Sequence, residues 1–376
     1  LQALAVLGEA TPAVVARVVG AGGDVSTARV LAERGWIVID EREPDQHIAI
    51  AHALLREVVD VSIPYSLRRE IHASCAELAE AAKAPDEVLA LHSEYTPVTF
   101  RTLLLLERVG DLCLARGDDT AAAQALRRGL DFARREFALG DTDSEGAVAI
   151  FTRKLGDALG RAGDFAEAEG VLREGVALTT HGTVEWARLQ GALGRALSAR
   201  GRQAEGLRAI DSAVAVATRL GNPGLVSELL VTRAEVESIA RQHMEAVRSL
   251  ELADARIRDA LRLAGGAPDA LLRQRAELLV RLARARRLAG LDGEKAIAEA
   301  RPLADSLNLG RLLARCEEEI AERAEALGDR RTAVSAWQLA AHEARSAGDA
   351  SLEAQYAERA RILGEMKGSS AHPRTP

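Results

Sequence analysis

A helical hairpin that cannot be stable alone constrains this chain most. Residues 151–180, FTRKLGDALGRAGDFAEAEGVLREGVALTT, read as two helices joined by a tight turn. Leu155, Leu159 and Ala162 give the first helix one apolar stripe, and Ala168, Leu172 and Val176 give the second its own. Gly163 and Asp164 separate them, because glycine accepts the left-handed conformation that ends helices. Neither stripe is covered within one hairpin, so the unit requires a copy of itself on each side. Gly156 and Ala168 are small where the two helices would cross, which lets the backbones approach closely.

The copies are present. Residues 106–130 carry Gly110, Gly117-Asp118, Ala122, Leu126 and Gly129 in the same slots, and residues 189–213 carry Gly194, Gly201, Gly206 and Ile210. Residues 230–253 keep Ala234, Ala246 and Leu250 but have no turn glycine. Residues 279–300 keep Ala283 and Gly290 and add extra turn residues. Residues 316–341 restore Gly328-Asp329 and add Ala333, Trp337 and Ala340. This pattern resembles the tetratricopeptide repeat over residues 100–364. The spacing of about 38 to 49 residues exceeds the usual 34 or so, which predicts longer helices or connections. The resemblance implies an all-α fold, a right-handed superhelical array of tetratricopeptide-type helix pairs over residues 99–364.

Composition agrees with close-packed helix pairs. The chain is 48% hydrophobic but only 3% aromatic, so its core must be alanine, leucine and valine. A formal charge of −7 argues against a general nucleic-acid binder. Cys75, Cys113 and Cys316 are odd in number and far apart, and read as reduced, buried thiols of a cytosolic protein. No apolar run has the length of a membrane helix and no signal-peptide pattern opens the chain, so a cytoplasmic location and no membrane partner are expected. Leu1 stands inside an apolar helical pattern, as in a piece of a longer protein.

The first 83 residues read differently. Residues 1–10 form an apolar helix, Thr11-Pro12 caps a second over 13–19, and residues 26–34 make a third. Residues 36–40 and 48–51 are short β-type runs around Glu43-Pro44-Asp45. Together they predict a small winged helix. Two further helices break at Ile63-Pro64, because proline disfavours helix in the residue before it. Residues 84–98 are a junction, and the polar end, residues 365–376, is expected to be disordered.

His52, Leu54, Leu55, Arg56 and Glu57, then a proline turn, then Arg68, Arg69 and His72 form a second resemblance. With Leu89-Ala90-Leu91-His92 they look like the region after the nucleotide-binding core in bacterial signal-transduction ATPases of the STAND class. That class includes maltose-activator-like regulators and ATPase–repeat segments fused to serine/threonine kinases. The resemblance implies an upstream ATPase holding ATP and Mg, in intramolecular contact with this chain, and a kinase output in the parent. The chain itself has no G-x-x-x-x-G-K-[ST] phosphate cradle, so no cofactor and no catalysis are expected within it.

Other candidate sites have ordinary readings. Asp141, Asp143 and Glu145 with Gly146 begin like a calcium loop, but its twelfth position is Thr152 rather than a bidentate Glu. His47, His52, His72 and His92 lack the spacing of a helical metal pair, and His52 and His72 are expected to brace the two helices after the wing. Arg56, Arg68 and Arg69 could face a nucleotide or the missing ATPase core, but surface charge with i,i+4 pairing on a helix is the favoured reading. Arg29 and Arg34 are offset by Asp24 and Glu33 on the third helix, and residues 40–45 are acidic, so the winged helix does not predict DNA binding.

The best functional surface is the groove lined by the first helix of each pair. Its outward positions are Arg153, Asp157 and Arg161; Arg188 and Arg195; Glu228 and Glu235; Arg281, Arg284 and Arg287; Glu318, Glu322 and Glu325. Alternating basic and acidic bands can register a charged protein or peptide, and they equally fit solvated helix faces. The expected function is a non-catalytic regulatory and protein-binding arm of a multidomain bacterial signalling protein. The rivals are the repeat arm of a maltose-activator-type transcription regulator and a free-standing scaffold.

Overall fold

The computed structural model describes residues 1–20, 25–40, 46–93, 95, 99–139 and 144–365. The acidic turn at 41–45, the carboxylates at 141–143 and the tail at 366–376 lie outside the described residues. Nineteen α-helices and one three-stranded sheet make up the described chain. They fall into two compact units, Leu1–Ala162 and Gly163–Pro376.

The first unit begins with α1 (Gln2–Leu7), β1 (Glu9–Ala10), α2 (Pro12–Val19), α3 (Val25–Glu33), β2 (Ile37–Asp40) and β3 (His47–Ile50). The helix expected over residues 1–10 stops at Leu7. Gly8 takes φ 82° and turns the chain so that Glu9 and Ala10 pair antiparallel with β3, giving the order β1-β3-β2. A two-residue strand has no period to read, which is why the sequence did not reveal it. Thr11 caps α2 as expected, accepting from the Val14 amide at 3.3 Å. Leu4, Ala10, Ala28, Ile37 and Ile48 form the core beneath the sheet.

Next come α4 (Ala53–Ser62), α5 (Tyr65–Ala81) and α6 (Asp86–Ser93). Ile63 is extended ahead of Pro64, so the predicted break is real. Three helices complete the unit: α7 (Phe100–Arg116), α8 (Asp119–Ala138) and α9 (Ser144–Ala162). Gly117, at φ 80°, turns α7 into α8, and Asp118 caps α8 through the Ala121 amide.

The second unit holds α10 (Phe165–Leu178) and four hairpins. These are α11 (Val184–Ala199) with α12 (Gln203–Arg219), α13 (Pro223–Ile239) with α14 (His243–Leu263), α15 (Asp269–Leu288) with α16 (Glu294–Ser306), and α17 (Gly310–Ala326) with α18 (Arg330–Ser346). A last helix, α19 (Ala350–Glu365), packs on α18. Each hairpin packs internally, and α11, α13, α15 and α17 also adjoin one another in that order. The expected array of helix pairs is therefore what the chain forms.

The glycines do what the repeat required of them. A Cβ on Gly206 would lie 2.5 Å from the Gly194 carbonyl oxygen, so α11 and α12 touch backbone to backbone. The hairpin without a turn glycine uses Arg241 at φ 60° instead, a conformation that costs a side-chain-bearing residue roughly 1–2 kcal/mol. The three cysteines are free and buried, and burial pushes the Cys75 thiol up to about 11 and the Cys316 thiol up to about 12.

Candidate partner-binding face and cleft

The charged residues chosen from the sequence sit where their helices place them, but most face one another. Arg153 and Arg161 are on α9 of the first unit. Arg153 lies 3.7 Å from Asp157, and Arg161 reaches Asp119 at 2.8 Å and the Leu114 carbonyl at 3.1 Å. Lys154, not singled out by the sequence, ties α9 to α7 through Glu107 and Asp111.

In the second unit the acidic and basic bands interlock. Arg188 on α11 lies 3.5 Å from Glu228 on α13, and Arg195 lies 3.8 Å from Glu235. Glu235 also pairs with Arg281 on α15. Arg287 reaches across to α17, meeting Glu319 at 2.9 Å and Glu322 at 2.5 Å. Glu318 accepts from the Tyr356 hydroxyl, and Glu325 accepts from the Trp337 indole and pairs with Arg359. Arg284 alone of these groove residues is exposed and makes no ion pair among the described residues. The alternation is thus a ladder between successive first helices. Such exposed pairs contribute little singly, typically about 0–1 kcal/mol each.

The seams between hairpins carry stronger contacts that the sequence did not disclose. Glu169 on α10 is 5% exposed and receives Arg173 at 2.7 Å, Arg200 at 2.5 Å and Arg202 at 2.6 Å. Burial alone would raise its pKa, but the Arg200 hydrogen bond and the charges of Arg173 and Arg202 hold the carboxyl below the usual range. Glu237, also buried, receives Arg233 and the Ser249 hydroxyl. Asp254 receives Arg258 and Arg275, and Glu317 receives Arg301. Burial holds the Glu319 carboxyl above its usual range, with Arg287 pulling the other way. Arg173, Arg233 and Arg258 stand four residues from their carboxylates on the same helix, but Arg200, Arg202, Ser249, Arg275 and Arg301 come from outside that helix at no fixed spacing, so periodicity cannot reveal them.

One cleft stands out in the second unit. It has a volume of about 790 Å3 and lies among α15, α16, α17 and the start of α18. Ile297, Ala298, Pro302, Ile320, Ala324 and Leu327 form its apolar wall. The Arg287–Glu319 pair and Arg323, which is held by Asp292 and Glu294, supply its polar groups. Leu291 and Leu327 remain 44% and 73% exposed at its edge. The cleft exists because α16 is only 13 residues long and contains Pro302. The sequence signal was the pair of extra turn residues around Gly290 and Gly293, which marked this hairpin as irregular. The size lies within the range of about 300–1,000 Å3 in which proteins bind ligands.

Among the described residues no group of three or more histidine, cysteine or acidic side chains is arranged to hold a metal. No described helix is long and apolar enough to cross a membrane.

No family model matches the sequence, and no curated protein is similar to it in sequence. Solved structures do share the fold. A Signal Transduction ATPase with Numerous Domains carrying a tetratricopeptide repeat sensor, from Pyrococcus horikoshii, superposes with a TM-score of 0.50 at 14% identity. That match covers 96% of this chain and 51% of the other, so the chain spans about half the length of that neighbour. A Rap protein complexed with competence and sporulation factor gives 0.47 at 10% identity, covering 83% of this chain and 91% of that one. BtubC from P. vanneervenii gives 0.39 at 17%, covering 68% and 94%. At 14% identity the likeness to the first of these is one of fold alone: stacked helix pairs of the tetratricopeptide type.

Proposed function

We propose that this chain is a non-catalytic regulatory arm that binds a protein segment, and that the segment anchors an apolar side chain in the α15–α17 cleft. The observation that carries the reading is the cleft itself. It is a place in the second unit where a fold made of stacked helix pairs leaves an apolar wall open, with leucines at its edge. Helix-pair repeats act by presenting such surfaces to partners. Interface energy concentrates where an apolar anchor fills a desolvated pocket. The charged ladder then supports the array, and Arg284 contributes charge beside the cleft.

The same reading places the chain in a larger signalling protein. The fold likeness to a STAND ATPase with a repeat sensor supports it, as does the residue pattern around His52–His72. In that parent the N-terminal helices and three-stranded sheet are a winged helix in intramolecular contact with an upstream ATPase, and ATP and Mg belong to that part. A serine/threonine kinase output and a bacterial, cytoplasmic setting complete the proposal.

The test is selection of peptides from a displayed random library on the immobilised chain. Enriched peptides are expected to share a large apolar residue and to lose binding to Ala298→Trp, which fills the cleft from an exposed position. They should retain binding to Arg284→Glu within a few-fold. Peptides that bind Ala298→Trp as well as the parent chain would remove the cleft from the account.

A further inference from the structure

His72 on α5 and His92 on α6 are 20 residues apart, yet their Nδ1 atoms meet at 3.1 Å. Each residue is about 5% exposed or less. Tyr95 stacks on the His72 ring with centroids 3.8 Å apart. The Arg68 guanidinium stands over Tyr95 and is held by Asp60 of α4 at 2.9 Å. The sequence paired His52 with His72; the structure pairs His72 with His92 and leaves His52 exposed. This buried polar stack joins α4, α5 and α6, and the proposed function makes no use of it.

The contact has one workable proton arrangement. Two neutral imidazoles can share it only if one Nδ1 donates and the other accepts. A first added proton places a positive charge in a buried site beside Arg68. A second makes both Nδ1 atoms donors that face each other without an acceptor. Few neighbours can relieve either state. From α4 only Asp60 faces the stack, and it is engaged by Arg68. On α5 itself the nearby thiol of Cys75 is held protonated by burial. On α6, Asp86 and Glu87 turn away to Arg108 and Arg116 of α7. From α1 no ionisable side chain is available, and Arg17 of α2 is exposed.

We propose that the His72–His92 contact is a proton-sensitive latch that holds α6 against α5 when both rings are neutral and releases it when they are protonated. Burial first, then His92 and Arg68, lower the His72 pKa to about 4, and burial lowers that of His92. A histidine whose folded pKa lies below its unfolded value stabilises the fold fully above the unfolded value, about 6.5. That contribution disappears as pH falls toward the folded value. The latch is therefore closed at neutral pH and weakens between about pH 6.5 and about pH 4.

Amide hydrogen exchange of the full chain, corrected for intrinsic rates, tests this. From about pH 7 to about pH 5, opening of the α5–α6 segment should rise on the order of tenfold or more, with α11–α14 little changed. The double variant His72→Gln, His92→Asn should abolish the rise. An equal rise in both proteins, a rise shared by α11–α14, or no rise at all would overturn the latch. Side-chain NMR of the unaltered chain is the second readout. The His72 ring should remain neutral at about pH 6, and its titration near the ordinary histidine value of about 6.5 would also overturn the latch.

Discussion

One seam of the first unit and several seams of the second are closed by different chemistry. In the first unit the α5–α6 seam rests on neutral rings, His72, His92 and Tyr95, with one ion pair at its edge. In the second unit, seams rest on buried carboxylates gripped by arginines, as at Glu169, Asp254 and Glu317. A neutral seam needs no counter-charge but fails when protonated. The Glu169 seam keeps its charge in mild acid, because its arginines hold the carboxyl below the usual range, yet it loses heavily if one partner is removed, because burial leaves the other charge uncompensated. The difference teaches that similar helix packing can have opposite pH and mutational sensitivities.

The largest expected effect comes from backbone contact. Gly206→Val in the second unit places a side chain against the Gly194 carbonyl, and should cost about 3 kcal/mol or more in urea unfolding. Gly110→Ala in the first unit, in the slot that Gly194 fills in the second, meets only the movable Leu126 side chain at 2.6 Å, and should cost about 1–2 kcal/mol. Equal losses would mean that close approach is no tighter in the second unit.

Glu169→Gln follows, with about 2–3 kcal/mol lost at neutral pH because three arginines then face an uncharged amide. Its pH sign also separates the seams. The Glu169 pKa is depressed on folding, so its contribution is fully present above the ordinary glutamate value near 4.3 and is lost as pH falls through the lower folded value. Acid titration monitored by exchange should therefore open α5–α6 before the α10–α12 region. The reverse order would undo the comparison. The smallest effect is a gain. Arg241→Gly relieves the left-handed turn of the α13–α14 hairpin and should stabilise by about 0.5–1 kcal/mol in thermal or urea unfolding.

Much of this was legible in the residues. Gly117, Gly201 and Gly328 announced turns by being the residues that take positive φ without strain, and Ile63-Pro64 announced a break. The apolar periods of residues 189–213 and 316–341 announced helix pairs. What stayed hidden depends on partners distant in sequence. Arg188, Arg195, Glu228 and Glu235 were placed on an outward face, but that they would neutralise one another required knowing that α11, α13 and α15 lie side by side. Glu319 was passed over for Glu318 and Glu322 because one residue of rotation moves a side chain from the face into the seam. His92 was noted only in a four-residue pattern and among histidines without metal-pair spacing, since a contact between two helices leaves no spacing to detect.

The central claim is that first-helix charges hold the array together and leave the cleft to a partner. The most direct measurement is amide exchange of a triple variant, Arg188→Gln, Arg195→Gln and Arg281→Gln, against the unaltered chain at low ionic strength. The account predicts faster exchange in α11, α13 and α15, no change in α18 and α19, and a smaller difference when salt screens the pairs. Unchanged or slower exchange in α11, α13 and α15 would contradict it, because arginines reserved for a ligand would relieve repulsion when removed.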